Sequence, residues 1–167
     1  MLRRIDIKAL KENVFDLIGD QWMLITAGDR ETCNTMTASW GGLGVLWNKP
    51  VATIYVRPQR YTKQFLDEQE FFTLSFFGAE YRRQLAFCGS KSGRDVDKVK
   101  ECSFTVEYTD EGAPYFREAR LVLVCRKRYV QKLDAAAIPA DVRESQYPTQ
   151  DYHTMYIGRI EAVLAQD

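Results

Sequence analysis

Three stretches of this 167-residue chain combine residue types suited to holding a ligand. The first is Asn34-Thr35-Met36-Thr37-Ala38-Ser39-Trp40, a run of small and hydroxyl-bearing residues in an order that favours extended backbone. A flat heteroaromatic ring needs apolar contact on its faces and hydrogen bonds at its edges. Met36, Ala38 and Trp40 could supply the faces, and Asn34, Thr37 and Ser39 the edges. The alternative is an edge strand whose Thr and Ser side chains simply face water.

The second stretch, Arg57-Pro58-Gln59-Arg60-Tyr61-Thr62-Lys63, sits where a strand ends and a helix is expected to begin. Free backbone N–H groups, the positive end of the helix dipole, the Thr62 hydroxyl and the nearby Arg57 and Arg60 together suit a phosphate monoester. A solvated basic turn is the plainer reading. The third stretch runs from Ser90 to Lys98, a basic, hydroxyl-rich loop in which Ser92 and its neighbours could approach phosphate or a ring edge. It matches neither G-x-G-x-x-G nor G-x-x-x-x-G-K-[ST], so dinucleotide-fold and P-loop chemistry find no support. His153, the chain's one histidine, is either a strand-end residue satisfied by a loop carbonyl or a group at the ligand.

The elements that must position these residues follow from hydrophobic spacing. Leu10, Val14, Leu17 and Ile18 predict an amphipathic helix over 10–18, stopped near Gly19. Trp22–Ala27 and Cys33–Trp40 predict a hairpin about Gly28-Asp29. Gly41, Gly42 and Gly44 loosen the segment that Pro50 ends, and Val51–Val56 is a strand stopped by Arg57-Pro58. Thr62 can cap a short helix ending near Glu70. Phe71–Phe77 is a strand, Glu80–Phe87 a helix finishing at Gly89, Phe104–Tyr108 a weak strand and Leu121–Leu133 a long one. Residues 134–151 read as a loop, and Tyr152–Leu164 as the last strand.

About six strands and three short helices without regular alternation predict one mainly β domain over 1–167, a barrel or a strongly curled antiparallel sheet. With 23 Lys+Arg against 23 Asp+Glu, no net field attracts nucleic acid or an anionic membrane. The longest apolar run, LVLVC, has strand length rather than membrane-span length. Charges interrupt the N-terminal segment where a signal peptide needs its apolar centre, which suggests a cytoplasmic chain with reduced cysteines. Cys33, Cys88, Cys102 and Cys125 form no C-x-x-C pair, and one histidine is too few to complete a zinc site. Cys33 and Cys88 have no resolving partner in sequence and read as buried small hydrophobes. Arg126-Lys127-Arg128 alternates faces and reads as an exposed edge or an intersubunit salt-bridge patch.

Taken in order, NTMTASW, VRPQRYT, FFTLSFF, AFCGSKSGRDVDK and YHTMYIGRIEAV resemble the flavin reductase-like family, in particular its flavoredoxin branch, over most of the chain. The resemblance lies in the order and spacing of the blocks. It implies an FMN-binding split β-barrel that forms a homodimer, with one FMN per subunit near the interface. It also implies an oxidoreductase that takes electrons from NADH or NADPH and passes them to free flavin, a redox partner protein or another small-molecule acceptor. An electron-transfer flavoprotein without nicotinamide turnover and a non-catalytic flavin-binding module fit the same motifs. The family pattern sets Asn34 and the strand Met36, Thr37, Ala38, Ser39, Trp40 beside the isoalloxazine, and Thr62 with Arg57 and Arg60 on the phosphate side. Lys98 would face the flavin or its phosphate, and His153 would act electrostatically or through a proton near the flavin. Trp47 would pack on a partner subunit or cover the flavin.

Overall fold

The structure, a computed structural model, describes residues 1–166. Its strands in chain order are β1 (Arg3–Ile5), β2 (Met23–Gly28), β3 (Cys33–Ala38), β4 (Gly41–Leu46), β5 (Lys49–Val56), β6 (Phe71–Phe76), β7 (Val106–Tyr108), β8 (Pro114–Phe116), β9 (Leu121–Lys132) and β10 (Thr154–Ala165). The α-helices are α1 (Thr62–Glu68), α2 (Arg82–Ser90), α3 (Lys98–Glu101) and α4 (Ala140–Gln146).

One antiparallel sheet takes the order β3-β2-β6-β9-β10-β5-β4, with β1 added on β10, while β7 and β8 form a separate ribbon. The apolar pattern explains why this sheet is covered on both sides. Every residue of β2 is buried: Met23, Ile25 and Ala27 enter the main core with Phe72, Phe76, Leu123 and Tyr156, and Leu24 enters a second cluster on the opposite face. That second cluster holds Leu85 and Cys88 of α2 and the rings of Phe77, Phe104 and Phe116.

The connectivity then dictates the shape. β3 and β4 lie at opposite ends of the strand order, yet only Ser39 and Trp40 separate them in sequence. Three extended residue steps reach about 10 Å, so the two sheet edges must come close to each other. The sheet curls round on itself and leaves a split between β3 and β4, as the mainly β, curled-sheet expectation required.

Several local readings need correction. The first helix begins later than expected because the Asn13 side chain accepts from the backbone N–H of Phe15 at 3.1 Å and of Asp16 at 3.4 Å, a cap that sets its start. It continues as a π-helical segment, Asp16–Gln21, past Gly19, and ends where Trp22 turns to φ 71°. Leu17 and Ile18 still enter the core. The glycine-rich stretch after Trp40 is the strand β4, joined to β5 through Trp47 and Asn48 at φ 51° and 58°, the left-handed pair a tight two-residue hairpin demands. The expected loop at 134–151 contains a 3₁₀ turn, Ala135–Ala137, and α4; α4 buries no residue and so has no apolar stripe to read. α3 starts where the Asp97 side chain accepts from Lys100 N–H. Tyr61, not Thr62, occupies the N-cap of α1. Finally, Arg126 belongs to a strand flanked on both sides, by β6 and β10. Lys127 is tied in as well, its backbone N–H donating to the Glu70 carbonyl at 2.8 Å, so the edge reading of the basic run holds only for exposed Arg128.

Candidate functional site

A cavity of about 400 Å³ opens at the split, lined by Met36, Thr37, Ala38, Ser39, Trp40, Tyr55, Arg57, Gln59, Arg60 and His153. Its walls come from both sides of the gap. β3 and the Ser39-Trp40 connection form one wall. β5 supplies Tyr55 and runs on into Arg57, and the pairing of Val56 with Thr154 brings His153, the residue before β10, alongside. Met36 is buried, Thr37, Ala38 and Ser39 are half-buried, and Trp40 is exposed. The Thr37 hydroxyl donates to the Leu85 carbonyl of α2, so this side chain anchors β3 instead of facing a ligand edge.

The two arginines that sequence reasoning grouped together do different work. Arg60 donates to the carbonyls of Gly89 at 2.9 Å and Thr37 at 3.2 Å. Both acceptors are neutral, and among the described residues no carboxylate pairs with it, so its positive charge stays uncompensated at the cavity. Arg57 instead pairs with Asp151 at 2.9 Å and donates to the Gln146 carbonyl at 3.0 Å. Its guanidinium also lies over the rings of Tyr147, at 5.0 Å, and Trp40, at 6.0 Å. The Gln59 amide, bonded to Asp151 at 2.7 Å, leads the contacts that hold this carboxyl down to about 2. Asp151 therefore stays ionised and keeps Arg57 occupied.

His153 is 6% exposed and packs against Trp40, with ring centroids 5.1 Å apart, and against the edge of Tyr55. Its Nδ1 lies 2.7 Å from the Tyr147 hydroxyl. The expected carbonyl partner is thus a phenol. Burial, with the positive charge of Arg57, pushes the imidazole down to about 4, so it is neutral at physiological pH.

Four expected site residues stand outside this cavity. Asn34 and Lys98 line a neighbouring hollow of about 550 Å³ together with Tyr61, Arg94, Asp95 and Asp97. Thr62 and Ser92 line neither. The Thr62 hydroxyl is fully buried and accepts from the Asn34 amide at 2.8 Å, which joins α1 to β3. Ser92 takes the backbone N–H of Arg94 in a local turn. Lys98, 4% exposed, donates to the carbonyls of Thr35 and Cys88, both at 2.8 Å, and burial with repulsion from Arg60 pushes it down to about 8. Gly93 brings its loop against Asn34 so closely that a Cβ there would meet the amide oxygen.

Tyr55, Gln59, Tyr147 and Asp151 are site-related residues that sequence reasoning missed. Tyr55 was legible, since it shares a strand face with Arg57. Tyr147 and Asp151 carry no local signal, because long-range packing alone brings them in. Cys88 does have a thiol neighbour, with Cys102 Sγ 3.7 Å away, although nothing in their sequence spacing marks it. Burial pushes the Cys88 thiol up to about 12, which keeps it protonated and unreactive. Among the described residues no group of three His, Cys, Asp or Glu side chains could hold a metal ion, and no helix is long and apolar enough to cross a membrane.

Comparison with known proteins agrees with this architecture. A family model described as the flavin reductase like domain matches residues 16–167. Flavoredoxin from Methanosarcina acetivorans superposes with a TM-score of 0.72 at 23% identity, over 99% of this chain and 76% of that one. An FMN-binding protein from Thermus thermophilus, solved with 1-cyclohex-2-enone, gives 0.69 at 22% identity over 86% and 69%. An NADH:FAD oxidoreductase from Streptomyces globisporus gives 0.64 at 18% identity over 87% and 74%. At these identities the likeness is one of fold. No curated protein matches the chain. The family match, spanning nearly the whole sequence, carries the conclusion that this chain belongs to the flavin reductase like domain family.

Proposed function

We propose that the cavity at the split binds the ring of FMN and that the protein is an oxidoreductase of the flavin reductase type, drawing electrons from NADH or NADPH. The observation that carries this reading is the meeting, in one cavity, of an apolar strand wall, an exposed indole, a neutral imidazole and an arginine with no ion-pair partner among the described residues. Met36, Ala38 and Trp40 offer apolar surface to a planar ring, and the β3 backbone offers polar groups at its edge. Arg60 supplies the free positive charge that a phosphate monoester requires. Arg57, held in its ion pair with Asp151, shapes the wall instead. Lys98 and Asn34 would serve the ligand from the adjoining hollow, and Thr62 indirectly, by fixing Asn34.

When bound, FMN supplies the hydride and electron chemistry. The chain's residues orient the ring, keep it dry on the β3 side and tune it electrostatically. Exposed Val45 and Trp47 on the β4–β5 hairpin, with Tyr129 and Val130 on β9, support a homodimer. Four free cysteines fit a cytoplasmic location. The acceptor would be free flavin, a redox partner protein or another small molecule.

Two measurements test the reading. Arg60→Ala should weaken FMN at least tenfold more than riboflavin, which lacks the phosphate; an equal loss for both removes Arg60 from phosphate binding. Anaerobic mixing of the FMN-loaded protein with NADH or NADPH should bleach the flavin band. Failure with both, when dithionite bleaches it, overturns the reductase assignment and leaves flavin binding standing.

A further inference from the structure

Tyr147 lies outside the cavity yet determines what one of its walls can do. It directly follows α4, is 7% exposed, lies tilted against Tyr152 with centroids 4.9 Å apart, and places its hydroxyl 2.7 Å from His153 Nδ1. The Tyr147 hydroxyl oxygen also accepts from the His153 backbone N–H, so its own proton still needs an acceptor, and among the described residues His153 Nε2 has no protein hydrogen-bond partner. A neutral imidazole carries one N–H, and the bond made by one nitrogen decides which nitrogen that is. If Nδ1 held the proton, it would donate to the phenol oxygen, and the Tyr147 O–H would be buried without an acceptor. If Nε2 holds it, the phenol O–H donates to Nδ1, and the Nε2–H is left to the open cavity that His153 lines, where a ligand or water can accept it. Leaving a buried donor unmatched is the costly choice, so the second arrangement prevails.

We propose that Tyr147 is a positioning residue: by donating to Nδ1 it fixes His153 as the Nε2–H tautomer and presents a neutral N–H donor to the cavity. The geometry around the ring is consistent on every side. Trp40 and Tyr55 hold its plane, while burial and the charge of Arg57 disfavour a second proton and outweigh the opposing pull of Asp151. The group offered to a ligand is therefore a hydrogen-bond donor without full charge. It recognises a carbonyl or a lone-pair ring nitrogen, and it does not deliver a proton as an imidazolium would. The identity of that acceptor rests on the flavin reading above, but the tautomer is a property of the ligand-free chain.

Because His153 is the only histidine, protein carrying ring-15N histidine gives a single pair of nitrogen resonances. Long-range proton–nitrogen correlation at pH 7 should show the proton on Nε2 and an acceptor-type Nδ1. Tyr147→Phe keeps the ring and removes only the hydroxyl, so the two nitrogens should move toward the averaged shifts of exchanging tautomers. A proton on Nδ1 in the parent, or an unchanged pair of nitrogens in the variant, overturns the proposal. Should the variant fail to fold, the parent protein decides alone: the proton shared by Tyr147 and Nδ1 is bonded to oxygen if the proposal holds and to nitrogen if it does not. FMN titration separates this from the cofactor reading. If the cavity holds the flavin, the variant should bind FMN about three- to tenfold more weakly. If neither protein binds FMN, the cofactor reading fails while the spectra still decide the tautomer.

Discussion

Mild acid should destabilise this protein through its single histidine before most of its carboxylates respond. In the folded chain burial and the charge on Arg57 hold His153 down to about 4, against 6.5 for an ordinary imidazole. The folded state therefore binds this proton more weakly than the unfolded state. Its contribution is fully present above about pH 6.5, declines as the pH falls from there to about 4, and does not change further below. At about 1.36 kcal/mol per pH unit, that interval caps the loss at about 3 kcal/mol. Water at the open cavity screens one edge of the ring, so about 1–2 kcal/mol is expected in practice. Asp151, held down to about 2, stays ionised throughout this window, so its own titration falls below it while its charge partly offsets that of Arg57 at the ring. Urea unfolding at pH 7.0 and pH 4.5, on the parent and on His153→Gln, isolates the effect: the parent should lose about 1–2 kcal/mol more than the variant. Parallel pH dependence in the two proteins would show that the folded imidazole is not held neutral, and the electrostatic picture of the cavity would fail with it.

Two substitutions probe the framework around the site. Thr62→Val preserves shape but strips the acceptor from the buried Asn34 amide, so it should cost about 1–3 kcal/mol, read as a melting temperature lower by several degrees; an unchanged melting temperature with lost FMN affinity would return Thr62 to direct phosphate binding. Gly158→Ala drives a methyl to 2.6 Å from the Phe72 ring and 2.8 Å from Cys125 Cβ, inside the main core, and should cost about 1–3 kcal/mol in urea unfolding; an unchanged midpoint would mean that the core yields at β10 far more easily than its packing implies.

Legibility in the sequence followed the range of the forces involved. β2, β5, β6 and the start of β9 were readable because apolar continuity and alternation are local signals, and Gly28-Asp29 marks the β2–β3 turn equally locally. β4 was not, since three glycines among six residues erase the alternation that would announce a strand; its existence depends on pairing with β5. α4 was missed for the opposite reason, since it packs no apolar face and leaves no stripe. At the site, Met36 to Trp40, Arg57, Arg60 and His153 do meet in one cavity, and Asn34, Thr62, Ser92 and Lys98 do not line it.

The contrast between Arg57 and Arg60 shows why residue type alone could not finish the assignment. Both are arginines, three apart in one basic segment, and either could be assigned to an anion. Asp151, brought in by the segment after β9, pairs with the first, whereas the second finds only carbonyls. Free charge is thus set by a contact 94 positions away in sequence. The location of the cavity depends on a short-range feature read over a long range: Ser39 and Trp40 must bridge the two ends of the strand order, and whatever stops the sheet from closing there leaves an opening beside them. The residues best placed to meet a ligand are the bridge itself and the strand leading into it, so the split between β3 and β4 and the candidate binding site share a single cause.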